Sequence, residues 1–146
     1  MKKFLGALFL SLAVSHSALA GTNIPWTKEG CESVKGTWIT AKSATDAGCD
    51  AAHCNGLSFC RSPQGMNWWS AVIWCQSIGH QLADIEVACP NGRSSGNTCA
   101  NLSGILSGLV WFSTPVSNSG SYHWNPGIST YHSARTNTYQ TAFCQE

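Results

Sequence analysis

The stretch Asn67–Ile85, NWWSAVIWCQSIGHQLADI, decides how the rest of the chain must fold. Asn67 is a favourable N-cap and Gly79 is a residue type that commonly follows a helix end, so a helix of about three turns is predicted between them. One buried stripe follows the i, i+3, i+4 spacing of such a helix: Trp68, Ala71, Val72, Cys75 and Ile78. The pattern therefore places the Cys75 thiol inside the fold, as a structural cysteine.

The same helix has a second apolar side. Trp69, Ile73 and Trp74 lie outside the stripe, so the helix is apolar almost all round, and another part of the chain is expected to cover it. The Cys-rich, weakly patterned segment 21–62 is the candidate, and we expect it to pack around Trp69 and Ile73. Within it, residues 37–40 and 57–61 have the alternation of short strands.

Several residues of the opening stretch resemble the start of C-type lectin-like domains: Trp68, Ala71, Cys75, Gly79, Leu82, Ala83 and Ile85. Val110–Ser113 is similar to that family's central buried strand, and Ala142–Cys144 to its last strand. The resemblance runs from about Phe59 to the C-terminus and implies an α+β fold, with mixed small sheets and one main helix. The family would continue with a second helix after Ile85, where this chain instead indicates a loop at 89–99. Because the fold hosts lectins, protein receptors and structural proteins, the resemblance predicts a scaffold and not a ligand.

All eight cysteines lie beyond residue 20, and an even count in a small exported chain predicts four disulfides. The family resemblance implies that Cys75 pairs with Cys144. Cys89 and Cys99 bracket a Gly- and Ser-rich loop and form the natural local pair. The remaining four pair among themselves in one of three ways that the sequence leaves open: Cys31, Cys49, Cys54 and Cys60. A zinc site made of Cys49, Cys54, Cys60 and His53 is the alternative, but its spacings of four and five intervening residues differ from the usual two.

Residues 1–20 have the features of a signal peptide. Lys2 and Lys3 precede an apolar run from Phe4 to Val14, and Ala18-Leu19-Ala20 predicts cleavage before Gly21. The run is too short to span a bilayer, although an uncleaved anchor is the alternative. The short two-lysine start looks bacterial, and the expected location is secreted, periplasmic or cell-surface. Residues 21–146 then form a single domain whose N-terminal extension is 21–62.

The charge balance argues against several classes of partner. Beyond the leader, six basic residues face seven acidic ones, so nucleic acid is not an expected partner. Charged residues make up 10% of the chain, where about 25% is usual, and Ser, Thr, Asn and Gly take their place. Such a surface favours binding through hydrogen bonds and aromatic stacking.

Neither catalysis nor a cofactor is predicted. No Asp or Glu lies between Val87 and Gln145, whereas glycosidase chemistry needs two carboxylates facing one substrate. Sugar-binding members of the family that the chain resembles hold calcium through acidic motifs. The nearest segments here, Thr114-Pro115-Val116 and Trp124-Asn125-Pro126, contain no acid. We therefore expect no metal site.

Aromatic and amide residues crowd the last quarter of the chain, where lectin-like domains usually place their ligand face. The candidate ligand-binding residues are Tyr122, His123, Asn125, Tyr131, His132, Arg135, Asn137 and Tyr139. Trp68, Trp111 and Trp124 are instead expected in the core. The predicted function is a calcium-independent module, suited to adhesion, that binds a glycan or protein ligand. The alternative is a structural subunit of an envelope or extracellular assembly.

Overall fold

The computed structural model describes residues 21–93, 99–125 and 129–146, with the backbone alone for 123–125 and 129–134. The predicted signal peptide, residues 1–20, and residues 94–98 of the predicted loop lie outside the described residues. Within these limits the elements are α1 Lys28–Ser33, β1 Thr37–Thr40, β2 Ser58–Met66, α2 Trp68–Ser77, β3 Gln81–Leu82, α3 Ile85–Ala88, β4 Val110–Pro115, β5 Gly120–Asn125, β6 Ser129–Ala134 and β7 Gln140–Gln145.

The described strands belong to one mixed sheet. Its order is β1-β2-β7-β4-β5-β6, and β3 pairs with β7 outside this path. Only the β4–β7 pairing is parallel among the described strand pairs. The α+β class is therefore confirmed, but the expectation of several small sheets is wrong. The reason is β7, which pairs with β2, β3 and β4 and so joins both halves of the chain into a single sheet.

Helix α2 begins and ends where the sequence predicts. The Asn67 side-chain oxygen accepts a hydrogen bond of 2.9 Å from the Ser70 N–H, which satisfies an otherwise free donor of the first turn. At the other end Gly79 has a φ of 86°, a left-handed conformation that glycine adopts without steric cost. The His80 N–H donates back to the Cys75 carbonyl at 3.0 Å and closes the helix.

The predicted stripe of α2 packs on the sheet at its centre. Ala71, Cys75 and Ile78 are buried, while Trp68 and Val72 are half-buried. Cys75 is bonded to Cys144 of β7, which confirms the pairing that the resemblance implies.

Both faces of the sheet are covered at β7, whose successive residues point to opposite sides and enter two different core layers. Phe143 lies on one side and stacks on Phe59 with ring centroids 4.5 Å apart. That layer also contains Ile85, Leu102, Val110 and Phe112. The second layer lies under α2 and contains Ile24, Ala71, Leu82, Trp111 and Ala142. Trp111 is fully buried there, as predicted.

The N-terminal extension packs beside the end of α2 and not over its outer side. The Ile24 N–H donates to the Ile78 carbonyl at 3.0 Å, and the Trp26 ring lies 4.5 Å from the imidazole of His80. Trp69 and Ile73 are left 52% and 64% exposed. The prediction that the extension covers these two residues is therefore wrong. Its chain is drawn away from them by the Cys31–Cys60 disulfide, which ties α1 to β2.

One helical turn, α3, precedes the loop that is predicted at 89–99. Asp84 caps α3 by accepting a hydrogen bond from the Glu86 N–H at 2.8 Å. The Cys89–Cys99 bridge is confirmed, and the pairs that the sequence left open are Cys31–Cys60 and Cys49–Cys54. No helix in the described part of the chain is long and apolar enough to cross a membrane.

Candidate functional site

The first turn of α2 and the turn that leads into β7 meet at one edge of the molecule. The Trp68 N–H donates to the Arg135 carbonyl at 3.0 Å, and Met66 pairs with Gln140 at the start of β7. These two contacts bring together residues that are about 70 positions apart in the sequence. We call the group Trp68, Trp69, Arg135, Asn137 and Tyr139 the aromatic edge.

Arg135 supports this edge from below. Its side chain is 9% exposed, its Nε donates to the Ser121 hydroxyl at 2.7 Å, and its Nη1 lies 3.4 Å from the Asn118 carbonyl oxygen. The guanidinium carbon lies 4.4 Å from the centroid of the Trp68 ring, within the range of a cation–π interaction. Among the described residues no carboxylate forms an ion pair with it.

The two tryptophans of the edge differ in exposure. Trp68 is half-buried, and its indole N–H donates to the Phe112 carbonyl at 2.8 Å, which fixes the ring between the helix and β4. Trp69 stands almost perpendicular to it, at 83° with centroids 4.7 Å apart. The guanidinium carbon of Arg135 also lies 5.7 Å from the Trp69 centroid. Trp69 is therefore an exposed ring whose inner neighbours are already ordered.

The turn contributes two exposed side chains. Tyr139 is 69% exposed, the largest fraction among the exposed large apolar and aromatic side chains of the described residues, and Asn137 is also exposed. The next residue, Gln140, is buried, and its Oε1 has no hydrogen-bond partner among the described residues. The edge thus offers an indole, a phenol and an amide to solvent above a buried layer.

The structure separates the predicted ligand-binding residues into three groups. Asn137 and Tyr139 are exposed at the aromatic edge. Tyr122 is half-buried and packs against the first core layer, and Arg135 is buried, so neither offers a fully exposed side chain to a ligand. Arg135 is buried because its guanidinium lies over the half-buried Trp68 ring and donates to the buried Ser121 hydroxyl. The last group is placed by backbone alone, in the paired strands β5 and β6, and its side chains lie outside the description: His123, Asn125, Tyr131 and His132.

Sequence reasoning missed Trp69 as a surface residue. The available indication was its position outside the buried stripe of α2, together with the absence of charge from that helix. Ile73, one turn further, continues the exposed face. It borders a groove of about 630 Å³ whose apolar lining comes from Val34, Trp74 and Ile78. The described residues that line this groove carry no charge.

Other polar clusters have structural roles. The Asp84 carboxylate accepts the Thr114 hydroxyl hydrogen bond at 2.6 Å in addition to capping α3, so it is committed to packing. The Asp50 carboxylate lies 2.8 Å from His53 Nδ1, and this hydrogen bond lowers the pKa of Asp50 below its ordinary value. In the ranges that the structure describes, no three His, Cys, Asp or Glu side chains lie together as metal ligands would.

The chain was also compared with known proteins. The structure is a mixed α+β domain with one mixed sheet and four disulfides. The resemblance to C-type lectin-like domains rests on the amino-acid sequence alone. A scan against models of protein families matches none of them, and a search of curated proteins finds no match.

Proposed function

We propose that this chain is an exported, calcium-independent binding module of C-type lectin-like architecture whose ligand, a glycan or a protein, docks at the aromatic edge. The observation that carries the proposal is the exposure of Trp69 on an ordered support of Trp68 and Arg135. An indole buries a large area when a sugar face or a protein side chain covers it. Because its surroundings are already fixed, little further ordering opposes binding.

The chemistry around Trp69 favours short-range contacts. Tyr139 adds a second ring with a hydroxyl, and Asn137 adds an amide that can both donate and accept hydrogen bonds. Arg135 is the only charged residue of the edge, and its guanidinium already stacks on Trp68 and donates to Ser121. We therefore expect binding to be weakly sensitive to salt, since screening acts on exposed charges.

Export is supported by the covalent structure. All eight cysteines are paired, and disulfides of this density form and persist in oxidising compartments. The leader-like segment 1–20 agrees with this location. We infer secretion to the periplasm, the cell surface or the medium.

A calcium-independent mode follows from the ligands that the edge can offer. Calcium prefers six to eight oxygen ligands, several of them carboxylates. The sequence has no Asp or Glu between residues 87 and 145, and the α2 segment contributes none either. Recognition at this edge then depends on rings and amides. An enzymatic role is not proposed: the sequence offers no pair of facing carboxylates, and the Asp84 carboxylate caps α3 and accepts from the Thr114 hydroxyl.

The test begins with a glycan and protein array probed with residues 21–146, followed by titration of the best ligand. Trp69→Ala and Tyr139→Ala are each expected to weaken binding at least tenfold while the melting temperature stays within a few degrees. Leu57→Ala is the matched control, because Leu57 is 44% exposed but lies in the extension. Normal binding by both edge variants would place the site elsewhere and overturn the proposal.

A structural subunit of an extracellular assembly is the second candidate, and Ile73 favours it. Its 64% exposed aliphatic side chain continues the face of Trp69, and aliphatic chains serve protein contacts but do not stack on sugars. Under this alternative the chain should self-associate or co-purify with a fixed partner, and Ile73→Ser should abolish that association. Sedimentation analysis that shows a monomer with full array binding would exclude it.

A further inference from the structure

Segment 21–24 runs along the C-terminal end of α2. The Ile24 N–H donates to the Ile78 carbonyl at 3.0 Å. At Gly79 the two backbones come so close that an added Cβ would collide with the Asn23 side chain. Segment 21–24 is therefore held beside the last turn of α2.

This end of α2 has one carbonyl without a donor. The last four carbonyls of a helix have no partner within the helix and need donors from elsewhere. The Cys75 carbonyl accepts from the His80 N–H, and the Gln76 carbonyl accepts from the Gly79 N–H, both at 3.0 Å. No donor among the described residues binds the carbonyl of Ser77. The last turn also contains no basic residue, so no side chain there offsets the negative end of the helix dipole.

Gly21 lies directly against this carbonyl. A Cβ added at Gly21 would be 2.8 Å from the Ser77 carbonyl oxygen and 3.3 Å from the carbonyl carbon. Since the nitrogen and such a Cβ are bonded to the same Cα, the Gly21 nitrogen lies within about 5 Å of that oxygen. The groove beside Gly21, as far as its lining is described, contains no charged side chain. A positive group on Gly21 would therefore be close to an acceptor and have no competing ion there.

We propose that removal of residues 1–20 creates the C-terminal cap of α2: the new α-ammonium group of Gly21 donates to the Ser77 carbonyl and stabilises the mature domain. The inference rests on the predicted cleavage before Gly21 and on no ligand. Hydrolysis adds one water across the Ala20–Gly21 peptide bond. Ala20 keeps a carboxylate, and the proton that the carboxyl group releases goes to the Gly21 amine at neutral pH. An uncleaved chain has only a neutral amide with one hydrogen at this position.

The charge of the cap makes its contribution depend on pH. The folded state favours the ammonium form, which raises its pKa above the ordinary range of about 7.7–8.0. The stabilisation is then fully present below that range and is lost as the pH rises through the raised value. Helix α2 has no titratable side chain apart from the disulfide-bonded Cys75. Among the described residues the titratable group in contact with segment 21–24 is His80, whose Nε2 lies 2.9 Å from the Ile24 carbonyl oxygen.

The experiment compares the secreted mature chain with the same chain acetylated at its α-amino group. Mass spectrometry first establishes that the chain begins at Gly21. Acetylation at about pH 6.5 then favours the α-amino group, because the Lys amines are almost fully protonated. Acetylation is expected to lower the melting temperature by about 2–4 °C at pH 7. At pH 10 the two forms should melt within about 1 °C of each other, since the free amine is then neutral.

Three results would overturn the proposal. They are equal melting temperatures of the two forms at pH 7, a difference that persists unchanged at pH 10, and a mature chain that begins at another residue. The His80 imidazole is present in both forms, so the difference between them isolates the ammonium group. None of these results depends on whether the aromatic edge binds a ligand.

A pair of variants tests the contact with Ser77. In Gly21→Ala the new methyl group must move the terminus away from the Ser77 carbonyl, so the effect of acetylation should fall below about 1 °C. Thr22→Ala is the matched control, because Thr22 is exposed and adjacent, and its acetylation effect should stay at about 2–4 °C. Both variants keep Ala18 and Ala20, on which cleavage depends. An acetylation effect in Gly21→Ala as large as in the wild type would refute the cap.

Discussion

Replacing Arg135 by Met tests the support of the aromatic edge most directly. The substitution keeps an unbranched side chain of similar length but removes the guanidinium. It deletes the stack on Trp68 at 4.4 Å, the hydrogen bond to Ser121 at 2.7 Å and the weaker contact with Asn118 at 3.4 Å. Ser121 is fully buried, so its hydroxyl then loses its donor inside the protein.

The loss can be estimated from these contacts. A partly desolvated cation–π pair contributes about 1 kcal/mol and a hydrogen bond to a charged group about 2 kcal/mol. Leaving the Ser121 hydroxyl without a donor costs about 1 kcal/mol more. Against this, the folded state no longer has to desolvate a guanidinium, and the Met side chain recovers about 1 kcal/mol of apolar burial. The net expectation is a loss of about 2–3 kcal/mol, or about 6–10 °C in melting temperature for a domain of this size.

The assay is urea unfolding with the disulfides intact, with Arg93→Met as the matched control. Arg93 is also an arginine outside the strands and helices, but its side chain is 56% exposed. Its ion pairs with Asp84 and Glu86 are long, at 4.0 and 3.6 Å. Exposed pairs of this kind contribute at most about 0.5–1 kcal/mol. If Arg135→Met costs no more than Arg93→Met, the guanidinium is not a support and the reasoning about the edge fails.

Three further predictions concern the rest of the chain. Replacing Cys75 and Cys144 together by Ser should cost about 4 kcal/mol by urea unfolding, because the bridge closes a span of 69 residues, and a loss under about 1 kcal/mol would contradict this. EDTA should change neither the melting temperature nor ligand affinity, whereas a lower melting temperature that calcium restores would reveal a metal site. The His53 contact lowers the pKa of Asp50 below 3.8, so the stabilisation from this pair is present above pH 3.8 and is lost as the pH falls through the lowered value. NMR titration of Asp50 should give a midpoint below 3.8 that His53→Ala raises, and an unchanged midpoint would contradict the assignment.

The parts of the fold that could be predicted from sequence are those with local causes. Helix α2 has an N-cap, a periodic stripe and a terminal glycine within its own stretch, and each lies where the pattern indicates. The Cys89–Cys99 bridge is local in the same sense. The Cys75–Cys144 bridge is not local. Its prediction depends on the family resemblance, because hydrophobic periodicity contains no information on long-range pairing.

The position of the extension could not be derived in this way. An apolar helix side predicts that another segment covers it but does not identify that segment. The position of the extension depends on which disulfide attaches it to the domain. With the Cys31–Cys60 bridge in place, the Trp26 ring contacts His80 at the end of α2, and Trp69 stays exposed. The burial of Arg135 is a similar case. Its type suggests a surface residue, and the sequence does not show that the Trp68 ring, 67 positions away, and the buried Ser121 hydroxyl come together around its guanidinium.

The contacts around Trp69 determine how much side-chain entropy its indole would lose on binding a ligand. A flexible exposed tryptophan would lose side-chain entropy on binding, whereas Trp69 already contacts an ordered ring and an ordered guanidinium. Those neighbours are fixed in turn by β4, through the Phe112 carbonyl, and by β5, through Ser121. Order at the edge therefore originates in the sheet, which β7 and its disulfide to α2 hold together. A ligand that covers Trp69 would gain apolar burial at a small entropic cost, which is the property that a binding surface with few charges requires.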